Sequence, residues 1–387
     1  MKEVKVYQPK YYKKFSCTGS ECKNNCCHHW RIAIDKVTYE KYINLGDEEK
    51  EEIINNLIIT DEDKKNIFIK LDSNGNCSFL NERGLCSLQL KLGHKYLSNV
   101  CRSYPRIVNI IGGSMERFLE LSCEAAAKLI ISDKDYMNFE ELIIDSDTIE
   151  ADGALHNHEM KIEYYSKLSN ASDIFWKMRV ASVAVLQSRK YKIRLRMLIL
   201  CLFIQEAADL FTAGRDFEVI VLADNYMSRL DKNYYDELSA SIPNGTDREF
   251  NIVLDILKEM FTSKVLFKPT LEKVFNGFDI NIENPALPDD FSEKFTKYYD
   301  MYFSDKEYIF ENYLVHRVLS EGFPFNYNNS SDVMNNYVDL LNKFNIVEFL
   351  LTGICRSRMK FDIRAIIDCI SLFTRGYEHA NKKYLMS

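Results

Sequence analysis

Residues 15–30 read FSCTGSECKNNCCHHW and bring Cys17, Cys22, Cys26 and Cys27 into one short span. Cys77, Cys86, Cys101 and Cys123 follow, so eight of the 11 cysteines precede residue 124, and Cys201, Cys355 and Cys369 lie beyond it. A single thiol in a soluble protein is usually a small buried hydrophobe, whereas clustered thiols supply thiolates that coordinate metals or attack electrophiles. The competing reading is a disulfide framework, which needs an oxidising compartment. The opening MKEVKVYQPKYYKKF intersperses its charges and has no apolar stretch of the signal-peptide kind. The longest strongly apolar run, Met197 to Ile204, is too short to span a bilayer and is flanked by Arg194, Arg196 and Glu206. A cytoplasmic chain with reduced thiols is therefore expected, with the eight N-terminal cysteines as candidate metal ligands.

Outward from this stretch, 387 residues with 46% apolar composition suit two or three domains with real cores. A net charge of −7 and a pI near 5.7 lack the basic footprint of a nucleic-acid binder, and leave peripheral membrane association open. Only 14 Gly and 7 Pro favour helices over a turn-dense β architecture. Near residues 133–158 the texture becomes acidic and small-polar, DKDYMNFEELIIDSDTIEADGALHNH, which reads as a connection. Before it the elements are short: Trp30, Ile32 and Ile34 alternate as on a strand, and Ile67, Ile69 and Leu71 do so before the turn Asp72-Ser73-Asn74-Gly75. After it, Ile174 to Arg189, Lys192 to Ala213, Phe217 to Leu238, Val333 to Leu351 and Phe361 to Tyr384 carry apolar residues at helical spacing. The expectation is a mainly α protein: a small mixed, cysteine-rich domain over residues 1–135, a connection over 136–158, and an α-helical domain over 159–387, with the active centre where the domains meet.

Within the first cysteine group, Thr18 and Glu21 have capping-box spacing, which predicts a helix presenting Cys22 and Cys26 on one face. Cys27 would then point about 100° away, so the pair Cys26-Cys27 need not serve one centre. In CSFLNERGLCSL, Asn81 to Gly84 looks like a hairpin loop; with Leu80 opposite Leu85, Cys86 shares a face with Cys77. Pro105 should hold Tyr104 extended after Cys101, and Cys123 stands near a helix start, where a thiolate is favoured. Cys22, Cys26, Cys86 and Cys101 are the preferred ligands of a single centre. The spacing differs from zinc-ribbon CxxC pairs and from the CxxxCxxC triplet of radical enzymes.

These segments resemble the flagellin lysine-N-methylases, and more loosely the small CxxCxxCC proteins. FSCTGSECKNNCCHHWRIAIDKVTYEKY, CSFLNERGLCSLQLKLGHKYLSNVCRSYPR and LSCEAAAKL carry the likeness, joined by ENYLVHRVLSEGFPF (311–325) and CISLFTRGYEHANKKYL (369–385), so that it covers nearly the whole chain. The resemblance implies an enzyme that transfers methyl groups from S-adenosylmethionine to lysines of flagellin or another surface protein and depends on a [4Fe–4S] cluster. No glycine-rich strand-to-helix turn marks a nucleotide site; Gly112-Gly113 is too slight a signal.

Other residues carry weaker signals. His28 and His29 suit iron or zinc but stand beside better thiolate donors. Arg102, Tyr104 and Arg106 are candidate cofactor-binding residues, since guanidinium forks hold carboxylates, or else they offset thiolate charge. Arg375 and His379 share a face of an expected helix, more simply as a structural pair. The 23 Tyr, 24 Phe and 2 Trp supply many walls for an amine, though core packing is the simpler role for each. No catalytic residue stands out. Three function classes result: an iron–sulfur protein methylase, a non-enzymatic cluster carrier, and a zinc-stabilised interaction protein. A helical domain of more than two hundred residues favours an enzyme or a partner-binding role over a simple carrier.

Overall fold

Alternation opens the chain: in EVKVYQP, β-formers interleave with polar residues, and Glu3–Pro9 forms strand β1 with Val6 and Gln8 buried. A computed structural model describes residues 3–60, 66–111, 114–145, 155–160, 171–240, 245–263, 267–326 and 332–378. The chain divides into two units. The first draws on Met1–Asn109, Ser114–Ala126 and Phe139–Asn157, and the second on Ile110–Gly113, Ala127–Asn138 and His158–Ser387.

The first unit contains, after β1, helices α1 (Lys36–Ile43) and α2 (Asp47–Asn55), strands β2 (Leu57–Ile59) and β3 (Ile67–Ile69), and short helices α3 (Ser87–Leu92) and α4 (Asn99–Ser103). Strands β4 (Arg106–Ile111), β5 (Ser114–Leu119), β6 (Phe139–Asp145) and β7 (Leu155–Met160) follow, with α5 (Glu124–Ile131) between β5 and β6. Five strands form a sheet in the order β6-β1-β5-β4-β7. β1 runs antiparallel to β6, with Glu3 opposite Asp145 and Pro9 opposite Phe139, and parallel to β5, with Val6 opposite Met115. The stretch 136–158, read as a connection, therefore supplies strands. FEELIID satisfies its backbone groups against β1 and leaves Ile143 exposed on an outer strand, so its acidic texture marks an edge, not a linker.

A separate core fills the cysteine-rich part. Ile32, Ile34, Tyr39, Tyr42, Ile53, Leu57, Ile67, Ile69, Phe79, Leu88 and Leu97 pack together, and Tyr42 donates its hydroxyl to the Tyr96 carbonyl at 2.7 Å. Ile32 and Ile34 turn inward as their alternation predicts, running beside β3 through Ile69 N–H to Ile32 O and Ile34 N–H to Ile67 O, although residues 30–34 make only an isolated bridge. The turn at 72–75 forms as expected.

The second unit is helical: α6 (Ala171–Leu186), α7 (Ile193–Thr212), α8 (Glu218–Asp231), α9 (Asp247–Ser263), α10 (Lys268–Gly277), α11 (Phe291–Phe303), α12 (Tyr308–Ser320), α13 (Val333–Ser357) and α14 (Ile363–Phe373). The protein is mainly α, as its periodicity predicts. Aspartates cap two of these helices: Asp332 accepts from the amides of Met334 and Asn335, and Asp362 from those of Arg364 and Ala365. Helices α10 and α13 cross at Gly277 and Gly353, where a Cβ on Gly277 would run into the Gly353 carbonyl. Beyond them, Phe250 and Phe295 lie 4.3 Å apart between ring centroids, and Phe278 and Phe349 4.9 Å apart. Gly112-Gly113 and His379 lie outside the described residues; Arg375 sits in a π-helical turn, Thr374–Glu378.

Helix α12 is buried from Ile309 to Ser320 on every side, and its charges are matched inside. Glu311 accepts from Arg189 Nη2 and Arg196 Nη1, each at 2.8 Å. Arg196 also reaches the Tyr191 and Leu186 carbonyls. A second pair joins Arg194 to the fully buried Glu348, whose carboxyl burial pushes up to about 7 against the pull of the arginine. Replacing Glu311 by Ala takes the shared carboxylate from both arginines, leaving Arg196 only the longer contact to Glu307 at 3.6 Å, and should destabilise the helical unit by about 3–5 kcal/mol. Chemical denaturation in a Trp30→Phe background, followed by Trp176 fluorescence, measures this; a loss below about 1 kcal/mol would mean that Glu307 and the carbonyl acceptors suffice for both cations.

Candidate metal centre

Four stretches carry the eight cysteines, and local backbone chemistry fixes each. The first is no α-helix: a 3₁₀ turn, Gly19–Glu21, closes with Cys22 N–H on Gly19 O at 3.1 Å, and Cys22 is extended. Gly19 adopts φ +57°, which turns the chain out of a helical path, and Thr18 makes no side-chain cap. The expected helical face of Cys22 and Cys26 is therefore replaced by consecutive turns, the second held by Cys27 N–H on Asn25 Oδ1 at 2.9 Å.

The second stretch also departs from its expected register. Asn81 Oδ1 accepts from Arg83 N–H and Leu85 N–H, drawing Leu85 into the turn, so Leu80 faces Cys86 and not Leu85. Cys86 then occupies the N-cap position of α3. Cys77 bonds through its amide to Cys27 O at 2.8 Å, and His29 N–H meets Gly75 O at 2.7 Å, which brings the first two stretches side by side. A Cβ on Gly75 would collide with the His29 ring, so this approach requires glycine.

Cys101 lies in α4, whose N-cap Ser98 accepts from the Cys101 amide at 3.2 Å. Asp35 holds two helices at once: it caps α1 through Thr38 N–H and accepts from Asn99 N–H at the start of α4, at 3.1 Å. Cys123 immediately precedes α5, as its sequence position predicts. An aromatic link joins three cysteine stretches: Trp30 packs edge-on against Tyr104 at 4.8 Å, and the Tyr104 hydroxyl meets Ser122 Oγ at 3.0 Å.

Electrostatically, these stretches converge on Cys26. Its thiol is near enough to oppose ionisation of Cys22, Cys27, Cys77, Cys86, Cys101 and Cys123, and Cys17 acts on Cys123. Cys27, Cys86 and Cys101 also pack against the core that contains Cys77. Burial pushes Cys22 and Cys101 up to about 12 and Cys77 and Cys123 up to about 11, and it raises Cys86 as well. Cys27 is raised by its hydrogen bond to Cys26 and then by burial. All eleven cysteines are free thiols.

The donor set suits a thiolate-bound metal group. The amides two and three residues onward point at the sulfurs of Cys77 (Phe79, Leu80), Cys86 (Leu88, Gln89) and Cys123 (Ala125, Ala126), favouring thiolates that burial disfavours. Among the described residues, no three His, Cys, Asp or Glu side chains stand in a ready coordinating group. The sulfurs are thus gathered without being closed upon one point, and cysteine is the donor type common to the site.

The remaining candidates find partners of their own. Arg102 donates to Asn99 Oδ1 at 2.6 Å, Tyr104 meets Ser122, and the Arg106 guanidinium lies over Phe15 at 5.1 Å. His28 forms a backbone bridge with Asn76, and His29 is exposed. Cys355 and Cys369 are buried, and Cys201 is partly so. Sequence reasoning missed Asp35, signalled by the helix start Asp35-x-x-Thr38, and Glu124, the acidic first residue of α5.

These features define a mainly α protein with a thiol-rich N-terminal unit. The family described as the FliB lysine N-methylase C-terminal domain matches residues 179–386, more than half of the 387 residues, and the chain belongs to that family. It is similar to the lysine-N-methylases of Salmonella typhimurium strain LT2 and Salmonella choleraesuis strain SC-B67, 37% identical over 147 residues, covering 37% of this chain and 37% of each relative. It is also similar to the flagellar biosynthetic protein FliU of Salmonella muenchen, 37% identical over 140 residues, covering 35% of this chain and 83% of that relative. The likeness thus spans little more than a third of the two lysine-N-methylases. No solved structure matches the chain. No helix among the described residues is long and apolar enough to cross a membrane.

Asp35 supplies a pH-dependent test. Burial works to raise its carboxyl, but hydrogen bonds from the Asn99 amide, the Thr38 hydroxyl and the Thr38 amide outweigh it and hold the group below the usual range. This contribution is complete above the unfolded value near ~3.9 and is lost as pH falls through the lower folded value. Asp35→Asn should cost about 1–2 kcal/mol near neutral pH, and the gap from the parent should shrink in acid. Denaturation curves at neutral pH and below about pH 4 measure it; a gap independent of pH would show that the carboxylate's charge contributes nothing.

Proposed function

We propose that this protein methylates lysine side chains of flagellin, or of another surface protein, with S-adenosylmethionine as donor and a thiolate-held [4Fe–4S] cluster in its N-terminal unit. Membership of the lysine N-methylase family carries this reading. The convergence of seven thiols on and around Cys26, with amides aimed at three of their sulfurs, supports the cluster. Free cysteines accord with action in the reducing cytoplasm.

Cys26 would be the central ligand, with Cys22, Cys86 and Cys101 as the other members of one centre. When bound, the cluster supplies a redox-active group and a cross-link among distant segments. Asp35 and Ser98 hold the Cys101 helix, while the Asn81 turn presents Cys86. An acceptor lysine is almost wholly protonated at neutral pH, so its amine must lose a proton before it attacks a methyl group. In that transfer the new N–C bond forms as the donor's S–C bond breaks, and the electron pair stays on sulfur.

Anaerobically isolated protein should contain iron and acid-labile sulfide, and Cys26→Ser should remove both while Cys355→Ser keeps them. Stoichiometric zinc without sulfide would favour the zinc-stabilised reading. Because the thiols are protonated near neutral pH, metal uptake should release protons and tighten as pH rises; a pH-independent affinity would remove these cysteines as ligands. Mass spectrometry of flagellin from cells with and without this gene tests the acceptor. Loss of lysine methylation is expected on deletion, and identical lysine masses with flagellin expressed would exclude it as substrate.

A further inference from the structure

Glu124 begins α5 directly after Cys123, and one oxygen of its carboxylate accepts three donors from a single distant turn. Lys23 N–H approaches Oε2 at 3.1 Å, Asn24 N–H at 3.4 Å and the Cys22 thiol at 3.8 Å. Neighbouring contacts on this turn are local: Cys22 N–H closes on Gly19 O, and Cys27 N–H closes on Asn25 Oδ1. The bonds to Glu124 instead span 100 to 102 positions of sequence. Two successive amides aimed at one carboxylate form a small anion-binding concavity. A charged acceptor makes each bond stronger than its neutral counterpart.

We infer that Glu124 is a positioning residue of the thiol site, whose carboxylate, through the Lys23 and Asn24 amides, fixes the Cys22–Cys26 turn against Cys123. The Cys22 thiol contact belongs to the protonated, metal-free state. The inference rests on the thiol cluster as a metal centre. Cys123 is anchored to a helix, and this tie joins the Cys22–Cys26 turn to the start of that helix, while Cys27 is held from its other side by the Cys77 amide. With the tie, sulfurs from opposite ends of the cysteine-rich segment share one fixed frame. Glutamine at 124 keeps the reach and an acceptor oxygen; aspartate keeps the charge but is one methylene too short.

The test uses the full chain. In metal-free protein, Glu124→Ala should raise hydrogen exchange at the amides of Lys23 and Asn24 by about tenfold or more, while Glu124→Gln, which keeps the reach but loses the charge, should raise it by clearly less and Glu124→Asp should follow Ala. Cobalt(II), titrated anaerobically and followed by thiolate-to-cobalt absorption, should bind the Ala and Asp variants about 10–100-fold more weakly than the Gln variant and the parent. Unchanged exchange at residues 23 and 24 in Glu124→Ala would overturn the inference. So would an Asp variant that matches the parent while Gln fails. If Ala does not fold, the Gln and Asp pair decides. A parent that binds no cobalt while its exchange responds to Glu124 would sink the metal-centre reading and leave the tie itself established.

Discussion

Charge cannot be crowded into a buried space without a counter-charge, and the cluster around Cys26 is governed by that constraint. Each thiol that ionises there makes the next harder to ionise, and burial opposes ionisation of Cys22, Cys27, Cys77, Cys86, Cys101 and Cys123. Sulfur therefore cannot assemble the site by itself. The first unit brings its cysteines together with other contacts: a shared apolar core, a serine and an aspartate at the start of α4, a glycine under His29, and the Trp30–Tyr104–Ser122 link. The frame stands on apolar packing and on hydrogen bonds, those to the Asp35 carboxylate among them, and the sulfurs are its cargo.

The helical unit meets the same constraint in a different way. There, buried arginines and glutamates are set against each other in fixed pairs, Arg189 and Arg196 on Glu311 and Arg194 on Glu348. Removing one partner strands the other, so these residues fix the packing of α12 and α13 more firmly than their number suggests. Aromatic packing around Phe278 and Phe349 and the glycine crossing of α10 and α13 complete the interior.

Much of this was legible in the sequence, because helical periodicity survives wherever one face is buried. Ile174 to Arg189, Lys192 to Ala213 and Val333 to Leu351 emerge as α6, α7 and α13 nearly as spaced. Strand β6 escaped notice because an edge strand keeps charge on its open side, and FEELIID reads as solvated. The helix expected at Cys22 failed on one left-handed glycine, and the hairpin register on one asparagine side chain that captured Leu85. Clustered cysteines announced a site; its supports did not. Asp35 and Glu124 each have a readable local role, but their second partners lie 64 and 100 to 102 positions away. Such pairings leave no periodic trace.

The pairing of β1 with β6 also sets an order of events during synthesis. β1 ends at Pro9 and its antiparallel partner begins at Phe139, so every clustered cysteine leaves the ribosome before that side of the sheet can close. At roughly 5–20 residues per second, the first strand waits on the order of ten seconds for this antiparallel partner. Throughout that interval the nascent chain offers its thiols on a half-built scaffold, and the acidic stretch that follows them acts as the closing stitch.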